Sequence, residues 1–386
     1  MSNYKAVLNN NLSTNIDDLI ASYALEDGSE TLSNQTIQAL QNSPLLRILD
    51  ESSFNGSGLL SDVVSVCRSL GKIDASLGWL VGVSNSSWSM KANFDLPETV
   101  LANMDENSML SMVLGRPGTL VPHDNGTGWR LSGEWKYASG YPLSSYFFGL
   151  AATNEGVVKV VVMPSQDLKI TSFWHSTGLL GTQSVTIQAS EVIIPESFTV
   201  NYQPILHGSL DGRFEGGSYS GYFTGVLMNC LVGTILGATE SALEYVVASL
   251  QRPIGGSTYT SMRDSGPVRY ELGRLKSNLD LLIRAAEYNA RVVDHAVGQV
   301  SAPLSDKDRV EIRARATQVM KGCTEIVQSL LWIYGSSGLD TSCPLEKIWR
   351  DVNVGARHGG FSKFIPEEMI GLTLLNADPV SLSRMF

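Results

Sequence analysis

The strongest candidate for a catalytic side chain is His358, which lies in the glycine-rich segment Gly355–Gly359. An unperturbed imidazole titrates at about pH 6.5, so it can supply or accept a proton under neutral conditions. Ser139, directly before Gly140, carries a hydroxyl that can donate a hydrogen bond. The aromatic side chains of Tyr137 and Trp174 are candidates either for stacking against a planar heterocycle or for a protein core.

Several other kinds of site are missing from the sequence. The four cysteines (Cys67, Cys230, Cys323 and Cys343) are far apart and form no CxxC pair, which argues against zinc and against a disulfide framework. No GxGxxG segment joins a strand to a helix, so we expect no nicotinamide site. The formal net charge is -10 and no basic run occurs, so nucleic acid and anionic membranes are not expected partners.

The pattern of apolar residues divides the chain into three zones. Residues 1–107 follow a helical pattern, with candidate N-cap residues at Ser33 and Ser57. Residues 108–205 change to the two-residue period of strands, and residues 206–386 are helical again. We expect a helical domain, a small antiparallel β domain and a second helical domain, which together form an α+β fold.

Turn residues in the middle zone predict single strands. Tyr146–Ala152 and Val157–Met163 flank Asn154-Glu155-Gly156, which predicts a β-hairpin. Asn125-Gly126 predicts a further turn ahead of the strand that begins near Trp129.

Two long helices are predicted in the last zone. Apolar residues recur every three or four positions from Val268 to Val297, which predicts an amphipathic helix of about eight turns. A second helix is predicted over residues 306–332, and the glycine-rich segment Gly335–Gly338 closes it.

The stretch between Glu215 and Glu240 contains no charged residue. It includes serine, threonine, asparagine and glycine, so a helix buried in a bundle or a subunit interface is a better interpretation than a membrane span. The N-terminal residues lack the apolar core of a signal peptide. We therefore expect a cytoplasmic protein with no membrane partner.

Four motifs, in this order, resemble those of acyl-CoA dehydrogenases and their monooxygenase relatives. The resemblance implies the acyl-CoA dehydrogenase fold: an N-terminal helical domain, a middle antiparallel β domain and a C-terminal four-helix bundle. The motifs are Gly133–Gly140, similar to G-x-W-x-(F/Y)-x-S-G; Trp174–Thr182 leading into Val192–Pro195; Leu236–Tyr245; and Tyr334–Gly338 followed by Pro344–Lys347 and Arg350-Asp351.

The same resemblance implies a flavin site. It places the Ser139 hydroxyl near flavin N5, where it can donate a hydrogen bond, and places the turn Gly335–Gly338 near the flavin of a neighbouring subunit. It therefore implies a homo-oligomer, a tetramer or a dimer, built through the C-terminal bundle. The residues implied to bind the cofactor are Leu114, Gly115, Tyr137, Ala138, Ser139, Trp174, Gly335 and Ser336.

The chain departs from the dehydrogenases at the positions of their catalytic base. The glutamate that removes the α-proton of a thioester falls on Gly359 here, and the alternative position falls on Leu227. Neither residue is acidic, so the general base for this chemistry is missing. His358 resembles instead a histidine of the two-component flavin hydroxylases, and could supply a proton as a C4a-hydroperoxyflavin forms.

These departures favour a reduced-flavin-dependent monooxygenase, with His358 and Ser139 as catalytic residues, that uses molecular oxygen and oxidises a small organic molecule at an aromatic carbon or an amine nitrogen. Ser249 stands where the dehydrogenases carry an arginine for the FAD pyrophosphate, so reduced FMN or FAD remain alternatives. A separate flavin reductase is the expected transient partner. The rival hypotheses are an FAD-dependent acyl-CoA or acyl-carrier-protein dehydrogenase or oxidase, and a non-catalytic relative that binds a partner.

Overall fold

The N-terminal region is helical, as expected from its pattern of apolar residues. The computed structural model describes residues 2–23, 31–50, 58–104, 109–123, 126–207, 219–297, 304–361, 363–383 and 385. Ser33 is confirmed as an N-cap, because its hydroxyl accepts from the N–H of Thr36, whereas Ser57 lies outside the described residues. The helices are α1 (Ser2–Ser22), α2 (Asn34–Gln41), α3 (Leu60–Gly71), α4 (Ala75–Lys91) and α5 (Glu98–Asn103).

The middle of the chain forms one sheet of seven strands among the described residues, in the order β5-β6-β2-β1-β3-β4-β7. The predicted hairpin is confirmed as the antiparallel pair β3–β4, while Asn125 of the other predicted turn lies outside the described residues. The strands are β1 (Met109–Pro122), β2 (Trp129–Ala138), β3 (Ser144–Thr153), β4 (Val158–Pro164), β5 (Lys169–Phe173), β6 (Val185–Ile194) and β7 (Thr199–Asn201).

One strand pair departs from the antiparallel expectation. β1 runs parallel to β3, with a register irregularity between Val113 and Gly118. β1 pairs with β2 only from Thr119 to Pro122, opposite the first residues of β2, whereas β2 pairs with β6 from Trp129 to Ala138. The sheet therefore splits between the start of β1 and the end of β2.

The C-terminal helices form the predicted bundle. The 26-residue helix α7 is long and apolar enough to cross a membrane, but most of it is buried among other helices, as expected for a core helix. The apolar face predicted for the next helix is confirmed, and includes Leu275, Leu279 and Val293. The helices are α6 (Tyr202–His207), α7 (Phe223–Ala248), α8 (Gly266–Val297), α9 (Asp306–Tyr334), α10 (Pro344–Gly355) and α11 (Ile365–Leu374).

Helix α7 also packs tightly against the N-terminal helices, which fixes the position of α4. A Cβ atom at Gly237 would overlap the carbonyl of Arg68 on α3, and one at Gly82 on α4 would overlap the carbonyl of Cys230. Glycine at these positions lets the helix backbones touch. Arg68 then pairs with Glu240 of α7 through two hydrogen bonds of 2.6 and 2.7 Å.

Candidate active site

A tight turn at the end of β2 presents Ser139 at the split in the sheet. Tyr137 has a φ of 67° and Gly140 a φ of 68°, both in the left-handed region. The N–H of Ser139 donates to the carbonyl of Tyr137 at 2.9 Å, and the Ser111 hydroxyl of β1 donates to the carbonyl of Ser139 at 3.0 Å. Non-glycine residues seldom adopt a positive φ, so the packing around Tyr137 must hold this conformation against its strain.

An exposed aromatic surface lies beside this turn. The rings of Tyr137 and Trp174 contact edge to face, with their centroids 5.3 Å apart. Tyr137 is 61% exposed, whereas the neighbouring Ala138 is buried. Trp135 is a core residue whose indole N–H donates to the carbonyl of Leu150. Aromatic rings exposed to this extent are suited to stacking against a planar ligand.

A chain of hydroxyl groups leads from Ser139 into the loop after Trp174. Ser139 Oγ lies 2.8 Å from Ser184 Oγ, which lies 2.9 Å from Thr182 Oγ1. Thr182 Oγ1 donates to the carbonyl of Leu179 at 2.6 Å. Ser184 and Thr182 are buried, while Ser139 is half-buried, so the chain ends at the open side of the turn.

Buried charges fasten the same loop to α10 and α4. The N–H of Leu179 donates to Asp351 Oδ1 at 2.6 Å, and Lys347 Nζ lies 2.8 Å from Asp351 Oδ2 and 2.9 Å from Asp74 Oδ2. Burial raises the pKa of Asp351, which the neighbouring Lys347 opposes. Asp74 also caps α4 by accepting from the N–H of Ser76 at 2.7 Å.

Leu114 and Gly115 lie three and four residues beyond Ser111 on β1. They fall within the register irregularity between β1 and β3 and outside the pairing of β1 with β2. Gly115 is exposed, and a Cβ there would touch only the side chain of Val113. Neither register pairing thus includes Leu114 or Gly115, the two β1 residues that the resemblance assigns to cofactor binding.

His358 lies in the turn after α10, packed between two aromatic rings. Its ring centroid is 5.9 Å from that of Trp79 on α4 and 6.0 Å from that of Phe361. The N–H of Gly360 donates to His358 Nδ1 at 3.3 Å, so a neutral ring carries its hydrogen on Nε2. Burial lowers the pKa of His358 to about 4, which is below the unperturbed value expected from the sequence.

Helix α4 connects His358 with the Ser139 turn. Trp79 contacts the His358 ring, while the side chain of its neighbour Leu80 lies against Gly140. The His358 ring and the Ser139 turn thus both lie against α4, and no described contact joins Ser139 to His358. Gly359 is exposed and Leu227 is partly buried on α7, so neither alternative position brings a carboxylate to this region.

Arg313 holds the turn that carries His358. Its Nε donates to the carbonyl of Gly360 at 3.1 Å, and its Nη1 donates to the Ser383 hydroxyl at 3.3 Å and to the carbonyl of Met385. The guanidinium therefore joins the His358 turn to the end of the chain. Apolar periodicity gave no indication of this role, because Arg313 lies on the buried side of α9.

Gly335 and Ser336 lie apart from the other predicted residues. Gly335 ends α9 with a φ of 86°, and both residues are exposed. Among the described residues, no hydrogen bond or ring contact joins this turn to Ser139, Trp174 or His358. One chain therefore does not bring these two groups together, which is the arrangement expected if the turn serves a neighbouring subunit.

A cation that the sequence argument missed lies at that turn. Arg252 Nη1 donates to Ser337 Oγ at 3.1 Å, Nη2 donates to the carbonyl of Tyr334, and the guanidinium stacks 3.8 Å from the centroid of the Tyr334 ring. Ser249, the position matched to the family's arginine, only bonds the carbonyl of Val246. An arginine thus stands three residues beyond the matched position, where its side chain contacts the turn after α9.

The helical domain, the split sheet and the helical bundle define the acyl-CoA dehydrogenase fold. A family model described as acyl-CoA dehydrogenase, C-terminal domain, matches residues 229–363. Structures of related proteins superpose over nearly the whole chain. The predicted fold class is confirmed, as is the resemblance to the flavin-dependent monooxygenases of this superfamily.

The relatives are oxygenases. The chain is 26% identical, over 89% of its length and 88% of the relative's, to the oxygenase component of FADH(2)-dependent resorcinol hydroxylase from Rhizobium sp. (strain MTP-10005). XiaF from Streptomyces sp., solved with FADH2 and glycerol, superposes with a TM-score of 0.86 at 23% identity, covering 98% of this chain and 97% of XiaF. TdsC from Paenibacillus sp. A11-2, solved with FMN and indole, has a TM-score of 0.79 at 17% identity, covering 95% and 96%. These names agree with the enzyme class predicted from the sequence.

Proposed function

We propose that this protein is the oxygenase component of a two-component flavin-dependent monooxygenase. It would receive reduced FMN or FAD from a separate reductase, form a C4a-hydroperoxyflavin with molecular oxygen, and transfer one oxygen atom to a small organic substrate. The observation that carries the proposal is His358, which lies next to the position of the dehydrogenase base. Its imidazole is neutral and accepts a hydrogen bond from the N–H of Gly360. A site with this group and no carboxylate lacks the base that a thioester dehydrogenase needs.

The residues at the split in the sheet fit a flavin. Exposed Tyr137 provides aromatic surface for a tricyclic ring, and Trp174 contacts it edge to face. The backbone at Leu114 and Gly115 lies outside the register pairs of β1 with β2 and β3, and in this proposal it exchanges hydrogen bonds with a ring that has both donors and acceptors. When bound, the reduced flavin supplies the electrons that activate oxygen, which no side chain of this site can do.

His358 acts in this proposal as a neutral hydrogen-bond donor. With Nδ1 accepting from Gly360, the ring presents Nε2–H to an anion that develops beside it. Because burial holds the pKa near 4, the ring does not carry a resting positive charge at neutral pH. The proton-donor role suggested by the sequence is therefore restricted to the moment when an anion raises the pKa of the ring.

An aromatic substrate is suggested by the similar proteins and agrees with the apolar surroundings of His358. The buried rings of Trp79 and Phe361 flank the imidazole and exclude polar groups from its sides. Resorcinol and indole, which the names of the similar proteins mention, are molecules of this kind. We favour oxygenation of an aromatic carbon in a phenol or indole over oxygenation of an amine nitrogen. A supply of reduced flavin from a nicotinamide-dependent reductase further favours a cytoplasmic enzyme.

The test is reconstitution with a defined reductase. Purified protein, FMN or FAD, NAD(P)H and a panel of phenols and indoles are incubated under ¹⁸O₂, with and without an added flavin reductase. We expect labelled product only when the reductase is present. Product without reductase would contradict the two-component assignment, and bleaching of bound FAD by an acyl thioester would support the rival dehydrogenase.

The substitution Gly359→Glu tests the rival from the other direction. A Cβ at Gly359 meets no atom within 4 Å, so the variant can place a carboxylate in the turn without a steric clash. If the site had kept thioester chemistry, this variant would gain dehydrogenase activity. We expect no gain, because in this proposal the site around His358 binds the substrate of an oxygenase and not an acyl thioester.

A further inference from the structure

The three hydroxyl groups beside the proposed flavin site have a fixed direction. Thr182 Oγ1 lies 2.6 Å from the carbonyl of Leu179, and a carbonyl can only accept, so the single hydroxyl hydrogen of Thr182 points to Leu179. Leu179 is held in place from the other side, because its N–H donates to Asp351 at 2.6 Å. The buried end of this row of three hydroxyl groups is therefore fixed in direction.

The remaining hydrogens follow from this anchor. The Thr182 hydroxyl has no further hydrogen, so the Ser184 hydroxyl must be the donor in the 2.9 Å contact between Ser184 Oγ and Thr182 Oγ1. Ser184 has then used its only hydrogen, so in the 2.8 Å contact the donor must be Ser139. The hydrogens run from Ser139 to Ser184 to Thr182 to Leu179. Toward the open side of the turn, Ser139 presents oxygen lone pairs and no hydrogen.

We propose that Ser184 and Thr182 make Ser139 a hydrogen-bond acceptor and that this arrangement selects reduced over oxidised flavin. The inference rests on the proposed function and on the family resemblance, which implies that flavin N5 lies near the Ser139 hydroxyl. It reverses the direction expected from the sequence, where Ser139 was the donor. Ser184 and Thr182 are positioning residues, because they act on the flavin only through Ser139.

The selectivity follows from the chemistry of flavin N5. Reduced flavin carries a hydrogen on N5, which Ser139 can accept. Oxidised flavin has a lone pair on N5, which faces the lone pairs of Ser139 and cannot bond unless the buried chain reverses. Reversal would remove the hydrogen bond between Thr182 and Leu179 in a buried place, where lost hydrogen bonds are costly. A protein that receives flavin from a reductase and releases it after oxidation needs this preference.

The test compares the affinities of the two redox forms without substrate or oxygen. Oxidised and photoreduced FMN and FAD are titrated anaerobically into the wild type and into Ser184→Ala. We expect the wild type to bind reduced flavin more tightly. In Ser184→Ala, where Ser139 can turn its hydrogen outward, the ratio of the two dissociation constants should fall about three- to tenfold, the size of one net hydrogen bond. A tenfold change corresponds to about 30 mV in the potential of the bound flavin.

Four further substitutions distinguish an effect on the direction of the Ser139 hydroxyl from general damage to the turn. Ser144→Ala removes a hydroxyl that donates to the carbonyl of Gly140 at 2.8 Å, in the same turn but outside the chain, and should leave the ratio unchanged. In a Ser139→Ala background, Ser184→Ala should have no effect on the ratio. Thr182→Val should lower the ratio as Ser184→Ala does, whereas Thr182→Ser should retain it.

The outcomes distinguish this inference from the proposed function. Equal affinities of the wild type for both redox forms would overturn the inference, as would a ratio that Ser184→Ala leaves unchanged, while the oxygenase assignment would stand. A loss of affinity that is equal for both forms would assign Ser184 a purely structural role. Failure of the protein to bind either form would overturn the inference together with the proposed function.

Discussion

The backbone N–H of Leu179 donates to Asp351 Oδ1 across 2.6 Å, although the two residues are 172 positions apart in the chain. This contact joins the loop after Trp174, which belongs to the sheet domain, to helix α10, which leads to His358. Lys347 extends the connection to Asp74 at the start of α4. The three elements that border the candidate site therefore depend on one group of buried charges.

We expect Lys347→Met to destabilise the protein by about 3 kcal/mol, because it leaves Asp74 and Asp351 buried without their shared cation. Burial alone would lower the pKa of Lys347, but the two carboxylates outweigh it and raise the pKa above its ordinary value. That direction shows that the charged form is the stable one in the folded protein. Urea unfolding at pH 7 measures the loss.

Helix α8 provides the matched control. Lys276 and Asp280 have the same four-residue spacing as Lys347 and Asp351, and their contact of 2.6 Å is equally close, but both side chains are at least half exposed. Lys276→Met should therefore cost at most about 0.5 kcal/mol. Similar losses in the two variants would show that the buried group has no special weight in the fold.

His358 makes stability depend on pH in a defined window. Its pKa is about 4 in the folded protein and about 6.5 when unfolded, so the unfolded chain binds the proton first as pH falls. The stabilisation by the neutral ring is complete above pH 6.5 and is lost as pH falls from 6.5 to 4, by about 3 kcal/mol. In His358→Gln this part of the acid loss should disappear. Identical pH profiles of the melting temperature for the two proteins would contradict this.

We expect the protein to assemble as a homotetramer, or at least a dimer, through the C-terminal bundle. On α8 and α9, the side chains of Tyr270, Leu281, Tyr288 and Trp332 are between 55% and 82% exposed. Such a large apolar surface is rarely left open in a soluble monomer. Light scattering at micromolar concentration should show the oligomer, and Leu281→Glu should dissociate it. Ile193→Glu, on an exposed side chain of the sheet, should not. A monomeric wild type would exclude this assembly.

The elements that could be predicted from the sequence are those with local patterns. The recurrence of apolar residues from Val268 to Val297 matches α8, and Gly335 ends α9 with the positive φ that favours glycine. The hairpin of β3 and β4 followed from its turn residues. Each of these patterns depends on neighbours within a few positions, which is the range over which helix and turn preferences act.

The remaining features depend on residues that are distant in sequence. The parallel pairing of β1 with β3 and the split in the sheet follow from tertiary packing, which no local pattern encodes. The direction of the Ser139 hydroxyl depends on Ser184, 45 positions away, and the pKa of His358 depends on its burial. Arg252 was missed because the match to the family by residue count fell on Ser249.

The role of His358 is tested by the coupling of oxygen use to product. His358→Ala removes the Nε2–H donor, so the product-forming rate should fall by about a hundredfold to ten-thousandfold and hydrogen peroxide release should rise. Flavin affinity should change little, since Tyr137, Ser139 and Trp174 lie on the sheet.

His358→Gln keeps a neutral N–H donor. It should therefore recover part of the coupling if donation of a hydrogen bond suffices, and none if a proton must be transferred. Product and peroxide are measured in the same reaction. Unchanged coupling and rate in His358→Ala would remove His358 from the chemistry, leaving the assignment dependent on the relatives and on the missing carboxylates at Gly359 and Leu227.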